Sequence, residues 1–507
     1  MGFLDNIIGA FSPRAACERE AWRHQLDELR HYDAGSYGRS NANWYMFNES
    51  AEITDRYNRD TIRARARDLE RNSDIAQSVI RAYRRNVIGK GFTLQAKTAK
   101  PELNKQIEKV WKTWCKAQNC DVTGTQSFNQ MCGMAVNRKK VDGGILFIKR
   151  YTNEGIMPFQ LQAIEVDELD ITQTSPKKAG NKVVGGIEYN GYNMAIGYYI
   201  KQYDIEGFQT NVPVYVQAKD VIFYYTKNRP SQIREISDLA PTITRIRDIN
   251  EFVTAVSVKE RIAACLAVFV KKALPTAGLG RGSTVTNGAG QVDYAGKSLT
   301  PGMIKEMGPG DEIQVVDPKA AATDATGFLK LQYGLIGAGQ GLSYEATSRD
   351  MSQTNYASAR QGSIEDECTF SEEIELLQER LMSEVYETFI ISGYLAGVFN
   401  MPGFWDKKAE YLEHEWVSAP KKWIDPAKES NANKTALATG QKTFKQIAAE
   451  NGKDWKTQVD DMAEVLAYGK EKGIEMGGVI FGQAQEADTS EPSEQGTTGG
   501  GGDGDKE

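Results

Sequence analysis

Between Ile243 and Val270 apolar side chains recur three or four residues apart, at Ile243, Ile246, Ile249, Val253, Val256, Ile262, Leu266 and Val270. That spacing lays them along one stripe of a helix. Asp238 precedes the stripe as a candidate N-cap, with Pro241 in the first turn. Unbroken to Lys272, the helix is about 48 Å long at ~1.5 Å per residue. A rod of that length, with Arg245, Arg247, Asp248, Glu251, Lys259 and Glu260 on its other face, rarely lies inside one compact domain. A chain built around it is expected to use it as a spacer or an assembly element.

The flanking segments differ in texture. Residues 1–50 mix Tyr, Gly and Asn and suggest an arm. From Asp60 a basic helical pattern runs to Gly89 and Gly91, with ten Lys or Arg and four acids between Arg56 and Lys90. Glu102 to Lys116 is a second amphipathic helix, carrying Trp111 and Trp114. Runs such as Ile145-Leu-Phe-Ile-Lys, Ala195-Ile-Gly-Tyr-Tyr-Ile and Val221-Ile-Phe-Tyr-Tyr predict a small, mostly antiparallel sheet between Gly143 and Lys227. Residues 273–319 are Gly-, Ser- and Thr-rich, with one strand-like run, Glu312-Ile-Gln-Val-Val. Phe328 to Leu342 reads as a helix holding Gly334, Gly337, Gly339 and Gly341, which suggest close packing or a bend. Ala357 to Ala396 predicts a long helix with nine acids between Glu365 and Glu387, and Asp425 to Gly473 a further helical segment. The class expected is α+β.

Charge and composition exclude several functions. The 507 residues carry a formal net charge of −7, but seven acids and one base in the last 26 residues account for −6, so the body is close to neutral. A protein that coats nucleic acid with its whole surface is far more basic. No apolar run approaches the roughly 20 residues of a spanning helix, so no membrane association is expected. Three scattered histidines, His24, His31 and His414, offer neither a metal cluster nor a Ser/His/Asp centre. Cys115, Cys120 and Cys132 have no fourth ligand nearby and read as buried free thiols. Gly290-Gln-Val-Asp-Tyr-Ala-Gly-Lys-Ser puts five residues between its glycines where a phosphate-binding loop has four. No catalytic residue, cofactor or metal is expected. The basic helix around Arg63 is expected to pair with the acidic helix of residues 365–387 on a neighbouring segment or subunit, with phosphate contact as the other reading. Acidic clusters such as Glu365-Asp-Glu and Asp460-Asp leave one enzymatic alternative, a Mg²⁺-dependent nuclease or packaging ATPase.

Several stretches, taken in order, resemble the lambda-type family of tailed-bacteriophage portal proteins. They include Ile62-Arg-Ala-Arg-Ala-Arg-Asp-Leu-Glu-Arg-Asn, Asn86-Val-Ile-Gly-Lys-Gly-Phe, Arg229-Pro-Ser-Gln-Ile-Arg, Leu299-Thr-Pro-Gly-Met-Ile, Gly341-Leu-Ser-Tyr-Glu, Arg349-Asp-Met-Ser-Gln-Thr-Asn-Tyr-Ala-Ser-Ala-Arg and Pro420-Lys-Lys-Trp-Ile-Asp-Pro. Ala357 stands where the family commonly has Ser, and the acidic glycine tail has no counterpart. The resemblance implies a portal fold: an arm (1–50), a mixed wing (51–237), a long stem helix (238–272), a clip (273–322), a segment with the second stem helix, the channel loop (343–356) and a long acidic wing helix (323–400), a helical crown (401–480) and an acidic tail (481–507). It implies a ring, typically a dodecamer, at one capsid vertex of the virion, assembled in the host cytoplasm, that conducts double-stranded DNA during packaging and ejection. Implied partners are copies of the chain itself, the terminase large subunit, the major capsid protein and the head-tail connector proteins. The channel-loop candidates are Arg349, Asp350, Gln353 and Asn355, and the stem assembly face is the stripe from Ile243 to Leu266. A channel that passes any sequence needs no base readers, and near-neutrality suits a conduit better than a clamp.

Overall fold

The architecture is that of a computed structural model, which describes residues 12–28, 48–152, 155–264, 268–272, 311–315, 325–352, 354–418 and 426–474. Leu266, Gln353, most of the 273–322 insertion and the tail from 475 lie outside these. The chain divides into two compact units, one of residues 1–58 with 227–233 and one of 59–226 with 234–507. In the first, the short helix Ala51–Asp55 is tied to the 227–233 segment: the Ala51 amide donates to Ser231 Oγ at 2.9 Å and Arg229 to the Glu49 carbonyl at 2.8 Å.

The second unit opens with α1 (Arg59–Asn72) and α2 (Asp74–Tyr83). The continuous helix expected here breaks at Ser73, whose extended backbone and hydroxyl cap α2 through the Ala76 amide. A π-turn, Arg84–Ile88, closes α2 before β1 (Thr93–Ala96). Next come α3 (Pro101–Trp114) and α4 (Phe128–Asp142), the latter opened by a Ser127–Gln130 capping box. Seven more strands follow: β2 (Gly144–Arg150), β3 (Gln160–Ile164), β4 (Lys182–Val184), β5 (Ile187–Tyr189), β6 (Ala195–Ile200), β7 (Val214–Gln217) and β8 (Val221–Tyr225). They form two antiparallel sheets, of order β3-β2-β8 and β4-β5-β6-β7, where one small sheet was expected. Phe147 is opposite Ala163 on one side and Ile222 on the other. The β4–β5 hairpin turns on Gly185 and Gly186, both at positive φ, and a Cβ on Gly186 would meet the Asp170 backbone at 3.0 Å.

The long helix is shorter than its stripe. α5 spans Ile243–Ala264, and β9 (Val268–Lys272) then pairs antiparallel with β10 (Asp311–Val315). The helical expectation to Lys272 is corrected, because Val268-Phe-Val alternates as well as it repeats, and Ile313 and Val315 give it partners opposite Val270 and Val268. Asp238 is not the cap either: residues 238–242 form a turn, and the Asp238 carboxylate pairs with lysines of α4. Then follow α6 (Ala325–Gln340), the short helix Tyr344–Ser348, α7 (Tyr356–Leu377), a π-turn to Met382 and α8 (Ser383–Leu395). Beyond residue 400, three helices between Pro426 and Glu471 accompany a strand that the sequence did not suggest, β11 (His414–Val417), paired with β1.

One aromatic core unites α3, α4, α8 and β11. Trp114 stacks on Phe159 at 5.4 Å, Trp111 meets Phe389 edge-on at 5.0 Å, and Trp416 lies 5.6 Å from Trp111. Trp114 also donates its ring N–H to the Phe159 carbonyl at 2.9 Å, which satisfies the one polar atom it buries. Cys120 and Cys132 are buried in this unit as free thiols, and burial holds both in the protonated form.

Candidate functional site: a helix pair, its anchor and its loop

α5 and α6 run antiparallel, joined along their length by Arg245 donating to Gln332 at 2.9 Å and by Phe252 against Phe328 at 4.8 Å. The apolar stripe of α5 divides in two. Ile243, Ile246 and Ile249 are 7, 0 and 1% exposed and belong to the core of the subunit. Val253 is 45% exposed, Val256 is half-buried, and Leu331 and Leu335 of α6 are 60 and 42% exposed. Ile262 lies in the last turn. Of the predicted assembly face, Ile243, Ile246 and Ile249 are used inside the subunit, while Val253 is exposed and Val256 half-buried among the described residues.

The inner part is held by a buried polar anchor. Lys139 Nζ lies 2.9 Å from Asp238 and 2.7 Å from Glu373, and Lys140 Nζ lies 3.1 Å from Asp238. Tyr224 donates to the other Glu373 oxygen at 2.7 Å, and the Lys140 ammonium sits 3.6 Å over the Tyr83 ring. Tyr83 donates to the Gln340 carbonyl, while the Gln340 amide donates to the Asp238 carbonyl at 3.0 Å and to Thr242 at 3.1 Å. Burial works against the Asp238 charge, but Lys140 and Lys139 overcome it and hold its carboxyl below the usual range. Two cations face two carboxylates, so the cluster is balanced. It joins α2, α4, β8, the end of α6 and α7 at the root of α5.

The segment 343–356 leaves the same root and is more ordered than a plain loop. Ser343 caps the helix Tyr344–Ser348 and gives its amide and hydroxyl to Asp366 of α7 at 2.6 and 2.7 Å. Ser78 of α2 donates to the Thr347 carbonyl at 2.8 Å. Arg349 ends that helix at φ 63° with its side chain exposed. Asp350 accepts from the Ser352 amide at 2.9 Å and from Tyr344 at 3.2 Å, and these bonds, led by Ser352, hold its carboxyl below the usual range. Asn355 caps α7 through Ser358. Of the four loop candidates, the structure brings Arg349 and Asp350 to one turn, sets Asn355 to capping, and leaves Gln353 outside the described residues. It adds Arg85, which sequence reading passed over: an exposed arginine in the π-turn after α2, whose charge burial and the neighbouring Arg349 both oppose. The basic run from Arg56 to Lys90 contained that signal, but only the packing of Tyr344–Ser348 on α2 shows which arginine faces the loop.

Two arginines of the basic run are ion-paired within the subunit, with carboxylates outside residues 365–387. Arg63 bonds Asp60, Asp167 and Glu235, and Arg67 bonds Asp142, Glu165 and Asp167. Asp60 lies on α1 itself and the other carboxylates come from the end of α4 and from loops beside the sheets; within the subunit, residues 365–387 put Glu373 on the α4 lysines and Asp366 on Ser343. His414 accepts or donates at 3.1 Å with Ser383 and stitches β11 to α8. Among the described residues no group of three or more His, Cys, Asp and Glu side chains is placed to share a metal ion, and no helix is long and apolar enough to cross a membrane.

Comparison with known proteins gives this arrangement its context. The chain is 26% identical over 460 residues to the probable portal protein of Halomonas phage phiHAP-1, covering 86% of this chain and 88% of that one. It is 20% identical over 469 residues to portal protein B of Escherichia phage lambda (85 and 88% covered) and 19% over 470 residues to the portal protein of Escherichia phage N15 (84 and 87%). Among solved structures, the neck of a native gene transfer agent particle computed with C12 symmetry aligns with a TM-score of 0.42 at 11% identity, covering 76% of this chain and 93% of that one. Residues 37–373 match the model of the phage portal protein family of lambda type, well over half of the sequence, and the chain belongs to that family.

Proposed function

We propose that this portal-family chain is the subunit of a closed ring, a dodecamer, at one vertex of the capsid, and that double-stranded DNA enters and leaves through its centre. The observation that carries the ring is the division of the α5 stripe: Val253 of α5 and Leu331 and Leu335 of α6 are exposed, and Val256 is only half-buried, among the described residues. Head-to-tail contacts between copies bury such a face and close on themselves. In this reading α5 and α6 are the stem, the segment around β9 and β10 is the clip that meets the terminase large subunit and later the head-tail connector proteins, and the body with its two sheets is the wing that meets the major capsid protein. Residues beyond about 400 form the crown, the arm is residues 1–50, and assembly takes place in the host cytoplasm.

The segment 343–356 faces the channel. Arg349 and Asp350 adjoin on one turn, and Asp350 is held in its charged form by Ser352 and Tyr344, so a passing phosphate meets an arginine with a carboxylate beside it and binds weakly. Such balance lets the duplex slide.

The test is electron microscopy of the purified chain, with nuclease and ATPase assays under Mg²⁺ on the same preparation. Closed rings with a central hole and no turnover are expected. Particles that stay monomeric at high concentration would remove the ring, and turnover by the chain alone would favour the enzymatic alternative.

A further inference from the structure

α2 and α7 meet through Tyr83 and Phe370, whose rings lie edge-on with centroids 5.4 Å apart. On α2 the row turned inward is Ala76, Val79, Ile80 and Tyr83, all buried. Arg81 and, in the π-turn that continues the helix, Arg85 stand one turn apart on the opposite, exposed side. Arg349 of the 343–356 segment is the neighbour of Arg85. On α7 the inward row is Asp366, Phe370, Glu373 and Leu377. Half a turn round, Glu365, Glu372 and Glu375 form an exposed row, which Glu379 in the following π-turn extends to about 21 Å. Among the described residues neither Arg81 nor Arg85 makes an ion pair, nor does any of these four glutamates; Glu365 accepts only from Gln361, at 3.0 Å.

The two rows point away from each other across the packed pair of helices, so within one subunit they do not meet. Like charges three and four residues apart repel along each helix, and a row of the opposite sign brought from outside relieves both. Symmetry then selects the contact. A back-to-back pair of subunits sets arginine on arginine or glutamate on glutamate, whereas a head-to-tail contact sets one on the other at every step.

We propose that the arginine row of α2 receives the glutamate row of α7 from a second copy of this chain, and that the pairing fixes the head-to-tail direction of assembly. The apolar side chains of α5 and α6 give the contact its affinity, and the charged rows give it orientation and speed of encounter. The pairing rests on the ring reading and names the surfaces that meet in it. An unaltered chain that forms no rings would end both; rings indifferent to the charges would end the pairing alone.

The experiment reverses each row separately in the full-length chain, as Arg81→Glu/Arg85→Glu and as Glu372→Arg/Glu375→Arg, and counts rings by size-exclusion chromatography and electron microscopy. All four positions are exposed, so both variants should keep the unfolding midpoint of the unaltered subunit. Each variant alone is expected to lose rings about tenfold, because exposed ion pairs become repulsions at every contact of the ring. Mixed one to one, the two variants should recover rings in which they alternate, since every contact then again sets opposite charges together. Normal ring yield from either variant alone, or a mixture that stays monomeric, would overturn the pairing. Normal rings from the arginine variant with weakened binding of duplex DNA would overturn it too, and would give the arginines to phosphate instead.

Discussion

The two halves of α5 have the same apolar periodicity and opposite environments. From Ile243 to Ile249 the stripe faces the core, and the ion-paired anchor of Asp238, Lys139, Lys140 and Glu373 locks its root. At the same spacing, Val253 is 45% exposed and Val256 half-buried. Periodicity therefore identifies an apolar face without saying what will cover it. The inner half is a matter of folding and the outer half is proposed as a matter of assembly, and substitutions can separate the two.

The sharpest separation comes from the same substitution made on each side of the divide. Ile249→Asp buries an unpaired carboxylate in a site 1% exposed, and a loss of more than about 4 kcal/mol is expected. The variant should yield little soluble protein and no cooperative thermal transition. Val253→Asp puts its charge on a side chain 45% exposed, so the subunit should keep its unfolding midpoint and circular dichroism while rings disappear from electron micrographs. If Val253→Asp unfolds the chain as Ile249→Asp does, or forms normal rings, the division is wrong.

Next in size is the anchor. Glu373→Ala leaves Lys139, 4% exposed at its side chain, with Asp238 as its one carboxylate among the described residues and removes the acceptor of Tyr224. Removing one partner of a buried ion pair costs about 3–5 kcal/mol, readable by urea unfolding. Glu373→Gln keeps an acceptor for Tyr224 and should lose less. Equal losses would mean that Glu373 acts by filling space and not by charge.

These pairs show where sequence reading succeeds and where it stops. α3 and the sheet runs at Ile145, Ala195 and Val221 were legible because local period and β-branched content pointed the same way, whereas α4 was not read from the sequence. β11 and β3 were not: His414-Glu-Trp-Val and Gln160-Leu-Gln-Ala-Ile carry little strand character, and β3 is fixed by pairing locally with β2 while β11 is fixed by pairing with β1 over about 320 residues of chain. The end of α5 was misread because Val268-Phe-Val satisfies helical and alternating patterns alike, and only β10, some forty residues on, decides between them. For the site, Arg349 and Asp350 were found through the resemblance, whereas Arg85 and the Lys139–Glu373 pair depended on tertiary contact. A buried lysine next to another lysine, as Lys139 and Lys140 are, resembles a solvated pair until the acids that answer it are located.

The glycines of α6 carry the comparison to its finest scale. At Gly337 a Cβ would lie 2.6 Å from the Leu342 carbonyl oxygen and 2.9 Å from Thr347 Oγ1, so Gly337→Ala must displace backbone and should cost about 1–3 kcal/mol. At Gly334 a Cβ would meet nothing within 4 Å among the described residues, so their packing does not account for the glycine. Alanine there should stabilise the isolated subunit by up to about 1 kcal/mol through helix propensity, seen as a higher unfolding midpoint. Gly334 lies between Leu331 and Leu335 on the face assigned to a neighbouring copy, where a missing side chain permits close approach of a second backbone. Gly334→Ala is therefore expected to raise subunit stability and lower ring yield together, a combination that fold stability alone cannot produce. A stabilised subunit that still closes into rings at the normal yield would place the interface elsewhere on α6.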